Sequence, residues 1–371
     1  MADYAPTKDD RFAFGLWTVM NPGRDAFGEP TRQPISGPEA ITQLGRRGVY
    51  SFELHAEDLV PADASASERH RVVAEATSRM ADADIKCTSI GSDVFSDPVF
   101  KDGALTSYDA RVRRMAVDRY RRAIEIGAEL GCGNCNIWGG REGSEVDAAR
   151  DPLDALGFLR DAFNGLCDFV LAGGHDVTLS IEPKPNEPRG DAYLPTAGHA
   201  LGFIATLDHP EMVGVVPEVA HVRMAGLNAY HEIAQVIDAG KLFGVHLNAQ
   251  KPLRFDQDIR FGGEGLKEAF FIVKAIEDSG WEGARCFDAH AYRTEDEEGV
   301  WDFVLGCMRT YLVLREKVRV FSGDPIMTEL LGAYRHRDDS AGGGELERPP
   351  DRRRLMLERI DQRTIEILLG V

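Results

Sequence analysis

The amino-acid sequence predicts an α/β protein, a (β/α)8 TIM barrel with a C-terminal helical extension. Between Arg11 and about Phe321, eight short runs of apolar, β-branched or aromatic residues alternate with longer segments of helical periodicity. Acidic residues and histidines follow many of these runs, where the active sites of such barrels lie. No G-x-G-x-x-G segment follows the first run, although a doubly wound dinucleotide-binding sheet would more often carry one.

The predicted strands and helices alternate along the chain. We predict strands at 12–17, 48–54, 85–90, 134–138, 177–182, 213–218, 243–247 and 283–287. The segments between them are rich in Ala, Leu, Arg and Glu, which favour helices. We predict helices at 39–47, 67–83, 108–130, 152–173, 196–207, 223–239, 264–279 and 298–318. This alternation is typical of a closed parallel barrel.

The character of the chain changes after residue 321. We therefore predict a catalytic barrel domain over 1–321 and a C-terminal arm over 322–371. Residues 322–354 contain Ser-Gly-Asp-Pro, three consecutive glycines and two consecutive prolines, which predict an extended segment. Residues 354–369 have the spacing of an amphipathic helix. We expect such an arm to pack on a neighbouring subunit, with a disordered tail as the alternative.

The composition argues against nucleic-acid and membrane partners. Lys+Arg 43 against Asp+Glu 61 gives a formal net charge of −18, which repels nucleic acid and anionic membrane surfaces. No signal segment or stretch of transmembrane length is visible, so we expect a cytoplasmic protein. Cys132 and Cys135 form a C-x-x-C pair, but no second pair stands at zinc spacing. We therefore expect buried free thiols.

Chemically active residues stand at or just after the predicted strand ends. In strand order they are Trp17; His55 and Asp58; Phe95; Trp138; Glu182 and Lys184; Glu218 and His221; His246, Asp256 and Asp258; and Asp288. The five carboxylates from Glu182 onward would converge with imidazoles at one mouth of the barrel. They would repel one another unless cations lie between them. Mg²⁺ or Mn²⁺, which accept oxygen ligands and tolerate imidazole, are the natural counter-charge.

The most specific stretch is SIEPKPNEPRG at 180–190. Its prolines hold the chain extended, so that Glu182, Lys184 and Glu187 are fixed relative to one another. A lysine among metal-bound carboxylates stays charged and can stabilise a developing oxyanion. A proline-rich surface turn is the alternative, but it would not need an acid and a base together at a strand end.

The segment 181–190 resembles the signature of the xylose (glucose) isomerase family. The resemblance continues through 11–17 (RFAFGLW), 98–103 (PVFKDG), 138–143 (WGGREG), 195–200 (PTAGHA), 224–228 (MAGLN), 255–262 (FDQDIRFG) and 293–296 (RTED). It covers nearly all of residues 10–321 in order, and it is similar in length to the shorter, actinobacterial-type class.

The resemblance implies a metal-dependent aldose–ketose isomerase, which converts D-xylose to D-xylulose or D-glucose to D-fructose by a metal-assisted 1,2-hydride shift. It implies two divalent ions per subunit, Mg²⁺, Mn²⁺ or Co²⁺. The ligands implied for the first ion are Glu182, Glu218 and Asp288, with His246 in the fourth position. Those implied for the second ion are Glu218, His221, Asp256 and Asp258.

The resemblance also assigns roles around the metals. His55, oriented by Asp58, corresponds to the residue that assists opening of the sugar ring, and Lys184 to the residue that stabilises charge on O1. Trp17, Phe95 and Trp138 correspond to the aromatic walls of the pocket. Phe27 corresponds to the phenylalanine inserted into a neighbouring subunit's site, which implies a homotetramer arranged as a dimer of dimers.

The chain departs from the family pattern near the metals. The family has an aspartate where this chain has His246, in the segment HLNAQ at 246–250. A neutral nitrogen in place of an anionic oxygen is expected to weaken Mg²⁺ binding and to favour Mn²⁺, Co²⁺ or Zn²⁺. Lesser departures are Val216, Val222, Ala56, Glu57, His290, Ala291 and Tyr292.

These departures keep two alternatives open. One is a diverged isomerase or epimerase that acts on another modified sugar. The other is a non-catalytic sugar-binding or metal-binding homologue. His55, Asp58 and Lys184 argue against the second alternative, because a protein that only binds a ligand has little use for ring-opening residues.

Overall fold

The computed structural model describes residues 4–335 and 352–371 and confirms the predicted barrel fold. Eight parallel strands form one sheet, and helices surround it. The strands are β1 (Phe12–Gly15), β2 (Ser51–His55), β3 (Lys86–Gly91), β4 (Asn134–Trp138), β5 (Thr178–Glu182), β6 (Val213–Val215), β7 (Val245–Leu247) and β8 (Arg285–Phe287). Each of them overlaps the corresponding predicted strand.

The sheet closes on itself between β6 and β7. Hydrogen-bonded neighbours follow the order β6-β5-β4-β3-β2-β1-β8-β7, so its two ends are consecutive strands of the chain. Parallel bridges join Val215 to Leu242 and Glu218 to His246 across this gap. The backbone N–H of His246 also donates to the Pro217 carbonyl over 3.1 Å. Closure therefore brings Glu218 and His246 side by side at the mouth of the barrel.

The longer helices follow the strands and continue beyond the barrel. They are α1 (Gly37–Arg46), α2 (Ala66–Asp82), α3 (Ala110–Glu129), α4 (Pro152–Gly173), α5 (Ala197–Ile204), α6 (Ala229–Asp238), α7 (Leu266–Ser279), α8 (Glu297–Gly323), α9 (Pro325–Arg335) and α10 (Arg352–Leu369). Their ends follow local chemistry. At the start of α4 the Asp151 side chain accepts from the Leu153 N–H, and Gly174 ends the helix with a φ of 62°.

Several predicted elements were too long, and in two of them a turn interrupts the predicted range. The strand predicted at 12–17 stops at Gly15, and a helical turn (Leu16–Val19) then carries Trp17 at the mouth. The helix predicted at 223–239 is divided, because Gly226 adopts a φ of 72° and Asn228 caps the helix that follows. The turn before this division (Val219–Met224) carries His221.

An apolar core lies between the strands and the helices that surround them, where the Phe12 ring meets that of Tyr311 in α8. Phe12, Phe14, Phe52 and Phe287 are fully buried, and the Phe14 and Phe287 rings lie 5.1 Å apart between centroids. The cysteines are buried and free, as expected. Among the helices of the described residues, none is both long and apolar enough to cross a membrane.

The C-terminal arm is not extended where the structure describes it. Residues Pro325–Arg335 form α9, because Asp324 accepts from the Met327 N–H over 2.7 Å and begins a new helix. The final helix, α10, packs against α8 and α9 of the same chain. Arg363 and Asp324 form a 2.7 Å ion pair between these helices. Residues 336–351 of the predicted extended segment lie outside the described residues, and packing on a neighbouring subunit stays a prediction.

Candidate active site

A cavity of about 490 Å³ opens at the C-terminal ends of the strands. Most of the residues that the sequence singled out line this cavity. They are Trp17, His55, Asp58, Phe95, Trp138, Glu182, Lys184, Glu218, His221, Asp256, Asp258 and Asp288. His246 lies against them in the barrel interior, with its side chain 1% exposed. Phe27 lies apart and is fully exposed.

The first cluster consists of Glu182, Glu218, His246 and Asp288. Each residue offers one ligand atom, and these atoms all lie within 4.8 Å of one another. The Nδ1 atom of His246 lies 3.3 Å from Glu182 Oε2, 3.2 Å from Asp288 Oδ2 and 4.0 Å from Glu218 Oε2. Such spacing of acidic oxygens around a ring nitrogen suits a divalent cation.

Neutral donors hold the carboxylates of the first cluster in place. Asn136 Nδ2 donates to Glu182 Oε2 over 2.6 Å, and Asn248 Nδ2 donates to Glu218 Oε1 over 2.7 Å. The indole N–H of Trp17 donates to Asp288 Oδ1 over 2.8 Å. These donors orient the acids but carry no charge, so they do not neutralise them.

The second cluster consists of Glu218, His221 and Asp256, and it shares Glu218 with the first. Nδ1 of His221 lies 3.0 Å from the Pro183 carbonyl oxygen, an arrangement that places the proton on Nδ1. The other nitrogen, Nε2, lies 3.2 Å from Asp256 Oδ2. The predicted fourth ligand, Asp258, lines the same cavity next to this cluster.

Lys184 joins the second cluster from the β5 side. Its Nζ donates to Asp256 Oδ2 over 2.7 Å and lies 5.2 Å from the centroid of the Trp138 ring. Burial lowers the pKa of Lys184, but Asp256 together with Glu218 and Asp258 outweighs burial and the net shift is upward, so the ammonium stays charged. The proline-rich segment contributes a further contact, because Glu187 Oε2 accepts from the Asp256 N–H over 2.7 Å.

The carboxylates at the mouth repel one another. Burial and then the charges of Asp288 and Asp256 raise the pKa of Glu218 well above its ordinary value. Burial and then Asp256 raise the pKa of Asp258 in the same direction. Burial acts upward on the pKa of Glu182 as well, but the positively charged ring of His246, together with His221, outweighs burial and lowers this pKa to about 2. The mouth therefore has more acidic groups than its own cations neutralise.

Two buried atoms at the mouth that could bind a metal have no hydrogen-bond partner among the described residues. They are His246 Nδ1 in the first cluster and Asp256 Oδ1 in the second. Buried polar atoms are normally paired, and these two are of the types that bind divalent metals. The residues present therefore fit bound divalent cations.

Aromatic rings form one wall of the cavity. The Trp138 and Phe95 rings meet edge to face at 4.8 Å between centroids, and Phe95 meets His55 at 5.4 Å. The His55 ring lies 4.7 Å from that of Trp17. The three predicted wall residues thus lie in one continuous row that includes His55.

His55 and Asp58 face each other at the end of β2. His55 Nδ1 lies 3.7 Å from Asp58 Oδ2, which accepts the His55 backbone N–H over 2.7 Å. Burial lowers the pKa of His55, but the Asp58 carboxylate outweighs burial and the net shift is upward. The Asp58 carboxylate lies near enough to stabilise the imidazolium, although 3.7 Å is beyond hydrogen-bond distance, and the role of the pair in ring opening stays a prediction.

Sequence reasoning missed three residues of the site. Glu53 lies within β2 and contacts His246, while Asn136 and Asn248 orient carboxylates of the first cluster. Asn248 lies within the segment 246–250, which was singled out only for its histidine. The signal for Glu53 was an acidic residue inside an otherwise buried strand, where a charge requires a partner.

Comparisons with known proteins agree on the family. The family described as "Xylose isomerase-like TIM barrel" matches residues 41–311. The chain is 45% identical to the xylose isomerase of Thermus thermophilus, with 99% of each chain covered. It is 44% identical to the xylose isomerase of Thermus caldophilus over the same shares.

Solved structures of lower identity share the fold. A D-tagatose 3-epimerase-like protein superposes with a TM-score of 0.62 at 13% identity, covering 83% of this chain and 99% of that one. The 3-keto-D-glucoside 4-epimerase of E. coli gives 0.58 at 14% identity, covering 82% and 99%. The chain therefore belongs to the xylose isomerase-like TIM barrel family.

Proposed function

We propose that this chain is a divalent-metal-dependent aldose–ketose isomerase that converts D-xylose to D-xylulose, with D-glucose to D-fructose as a second conversion. The observation that carries the proposal is the convergence of two acid–imidazole clusters, Lys184 and the His55–Asp58 pair on one cavity. The relatives named xylose isomerase, at 44% and 45% identity over 99% of the chain, support the same reaction.

Each cluster would hold one cation, Mg²⁺, Mn²⁺ or Co²⁺, with Asp258 as a further ligand at the second cluster. The bound cations would supply positive charge that stabilises substrate oxygens as they become anionic. The unpaired His246 Nδ1 and Asp256 Oδ1 support this occupancy. The nitrogen of His246 favours Mn²⁺ or Co²⁺ over Mg²⁺ at the first cluster.

His55 would exchange a proton with the sugar as its ring opens. Its imidazole lies in the aromatic row of the cavity between Trp17 and Phe95, and the Asp58 carboxylate lies 3.7 Å from its Nδ1. A neutral imidazole can accept the O1 hydroxyl proton, and the resulting imidazolium can return it to the ring oxygen. Asp58 stabilises the imidazolium in between.

Lys184 would donate a hydrogen bond to O1 of the open-chain sugar. Its ammonium stays charged between Asp256 and the Trp138 ring. A fixed positive donor of this kind stabilises negative charge that develops on the carbonyl oxygen. The lysine therefore acts on the reacting end of the sugar.

The aromatic row would keep water away from C1 and C2. Phe95 and Trp138 present apolar surface to the cavity, whose volume lies within the range of small-molecule sites. Exclusion of water favours migration of hydrogen from C2 to C1 without exchange with solvent.

The experiment that tests this function uses D-xylose deuterated at C2. Metal-stripped protein is resupplied with Mg²⁺, Mn²⁺ or Co²⁺ in turn, and the products are separated and analysed by mass spectrometry and NMR. We expect D-xylulose that retains deuterium at C1. Absence of ketose with every metal, or complete loss of the label to solvent, contradicts the proposal.

The second candidate function is an isomerase or epimerase for another modified sugar, and the presence of His246 in the first cluster favours it. The same metal-loaded protein is tested against a panel of aldoses and ketoses. Turnover confined to a sugar other than D-xylose or D-glucose supports this candidate. Saturable sugar binding without any product supports a non-catalytic homologue instead.

The exposed Phe27 supports a homotetramer in which each subunit completes a neighbour's site. It lies on a loop that the Asp25–Arg293 ion pair, at 3.1 Å, fixes to the segment after β8. We expect light scattering to give four chains per particle and Phe27→Ala to raise KM for D-xylose. A monomer that is fully active contradicts the arrangement.

A further inference from the structure

His246 faces acidic side chains with both ring nitrogens. Its Nε2 makes a hydrogen bond of 3.1 Å with Oε2 of Glu53. Glu53 lies on β2, across the barrel interior from His246. Its Nδ1 lies near Glu182 and Asp288 but has no hydrogen-bond partner among the described residues. The side chains of His246 and Glu53 are 1% and 8% exposed, so bulk solvent reaches neither nitrogen freely.

The contact with Glu53 determines which nitrogen can bind a metal. A carboxylate only accepts hydrogen bonds, and a neutral imidazole has one N–H and one lone pair. The 3.1 Å contact therefore requires the proton on Nε2. Nδ1 faces three carboxylate side chains and therefore carries a second proton in the metal-free protein, and a cation bound there would displace this proton and take the Nδ1 lone pair.

We propose that Glu53 is a positioning residue that fixes His246 as the Nε2–H tautomer, so that Nδ1 completes a one-nitrogen, three-carboxylate site for a divalent transition metal. The inference rests on the proposed function in one respect, because it places a cation in the first cluster. A carboxylate behind a metal-binding histidine both orients the ring and makes the opposite nitrogen a stronger donor. The site then suits Mn²⁺, Co²⁺ or Zn²⁺ better than Mg²⁺.

Cys286 could take part in an alternative metal site on the other side of the His246 ring. It pairs with His246 in the β7–β8 register, and its Sγ lies within 4.8 Å of ligand atoms of Glu53 and His246. A soft cation held there would use Nε2 and the thiolate. The geometry favours the other side, because Nε2 already has a hydrogen-bond partner and Nδ1 has none.

The experiment measures Co²⁺ binding to metal-stripped protein in the absence of sugar. Visible absorption reports the Co²⁺ ligands, and competition with a chelator gives the affinity. Glu53→Gln keeps the shape but lets the amide donate to Nε2, which removes the tautomer preference. Glu57→Gln is the matched control, since Glu57 lines the same cavity but bonds to Ser92 and Asp93.

We expect Glu53→Gln to weaken binding at one of the two Co²⁺ sites by about 10–100-fold and to change its visible spectrum. Glu57→Gln and Cys286→Ser should leave both unchanged. Wild-type affinity in Glu53→Gln overturns the inference. So does a thiolate charge-transfer band in the wild type that Cys286→Ser removes.

A second measurement uses only the wild-type protein, so it does not depend on whether a variant folds. Anomalous diffraction from wild-type crystals soaked with Co²⁺ should show a peak bonded to His246 Nδ1, and a peak bonded to Nε2 contradicts the inference. These measurements distinguish failure of the inference about Glu53 from failure of the proposed function. Glu53-dependent Co²⁺ binding without xylose turnover contradicts only the proposed function, and turnover with Glu53-independent binding contradicts only the role of Glu53.

Discussion

The two histidines of the metal clusters are held in different ways. Behind His246 stands a carboxylate, Glu53, whereas behind His221 stands the backbone carbonyl of Pro183. Both partners accept a ring N–H and fix a tautomer. The carboxylate nearest His221 Nδ1 is Glu218 at 3.1 Å, which is itself a proposed metal ligand, whereas Glu53 belongs to neither metal cluster and can orient His246 alone.

The difference teaches that the two clusters are not equivalent, although they share Glu218. The second cluster contacts Lys184 through Asp256, so it is directly connected to the group that would meet the substrate carbonyl. The first cluster contacts Glu53 and Trp17 instead. We expect substitutions to affect either one cluster or both, according to these contacts.

Loss of the shared ligand should have the largest effect. Glu218→Gln removes a charge from both clusters, and we expect isomerisation to fall by at least about 10³-fold, because metal-derived charge stabilisation is worth several kcal/mol. Metal content, measured by mass spectrometry, should fall at both sites. The surface variant Glu125→Gln serves as control. Retention of two metals in Glu218→Gln contradicts the sharing.

Substitution of Lys184 should affect the two clusters to different extents. In Lys184→Gln we expect kcat to fall by about 10²–10³-fold, because a charged donor to the developing oxyanion is lost. Co²⁺ binding at the first cluster should change less than at the second, since the Lys184 ammonium bonds directly to Asp256 of the second. Lys251→Gln, which alters a surface pair with Glu264, is the control. An unchanged kcat argues against a role at O1.

Exchange of the first-cluster histidine should show what Glu53 does. His246→Asp puts a second buried carboxylate opposite Glu53, and we expect a loss of about 3 kcal/mol in the free energy of unfolding of the metal-free protein. The double variant His246→Asp with Glu53→Gln should recover most of the lost free energy of unfolding. Its first cluster should bind Mg²⁺ better than that of the wild type does. Chemical unfolding of all four proteins measures this cycle. Additive effects contradict the coupling.

The smallest expected effect is a shift in the pH dependence of kcat/KM when Asp58 is substituted. The pKa of His55 is raised, with Asp58 outweighing burial, so the neutral base forms only above the ordinary pKa of histidine. We expect kcat/KM to rise with pH through this raised pKa, and Asp58→Asn to move the rise to lower pH. The interaction itself stabilises the fold at low pH and is lost as pH rises through the same pKa. An identical pH profile in Asp58→Asn contradicts the pairing.

The barrel and most of its mouth could be predicted from the sequence because the signals are local. Each strand is a short apolar run, and residues such as Glu182 and Asp288 stand directly at the strand ends that a parallel barrel brings together. The start of α9 was missed, since Asp324-Pro325 is typical both of a turn and of a capped helix start. Only packing against α8 and α10 distinguishes the two.

The pairing of Glu53 with His246 could not be predicted in the same way. The two residues are 193 positions apart and meet across the barrel interior, so no spacing in the sequence links them. Asn136 and Asn248 were missed for a related reason. An amide side chain has no charge that demands a partner, and its function appears only when the neighbouring carboxylate is in place.

The closure of the barrel between β6 and β7 has a mechanical consequence. Glu218 and His246 stand on opposite sides of this seam, where isolated bridges replace a regular ladder. A cation bound by both residues would cross-link the β6 and β7 segments and oppose their separation. Metal loading would then slow unfolding as well as enable chemistry, and amide protons along 213–218 and 243–247 would exchange more slowly in the loaded protein.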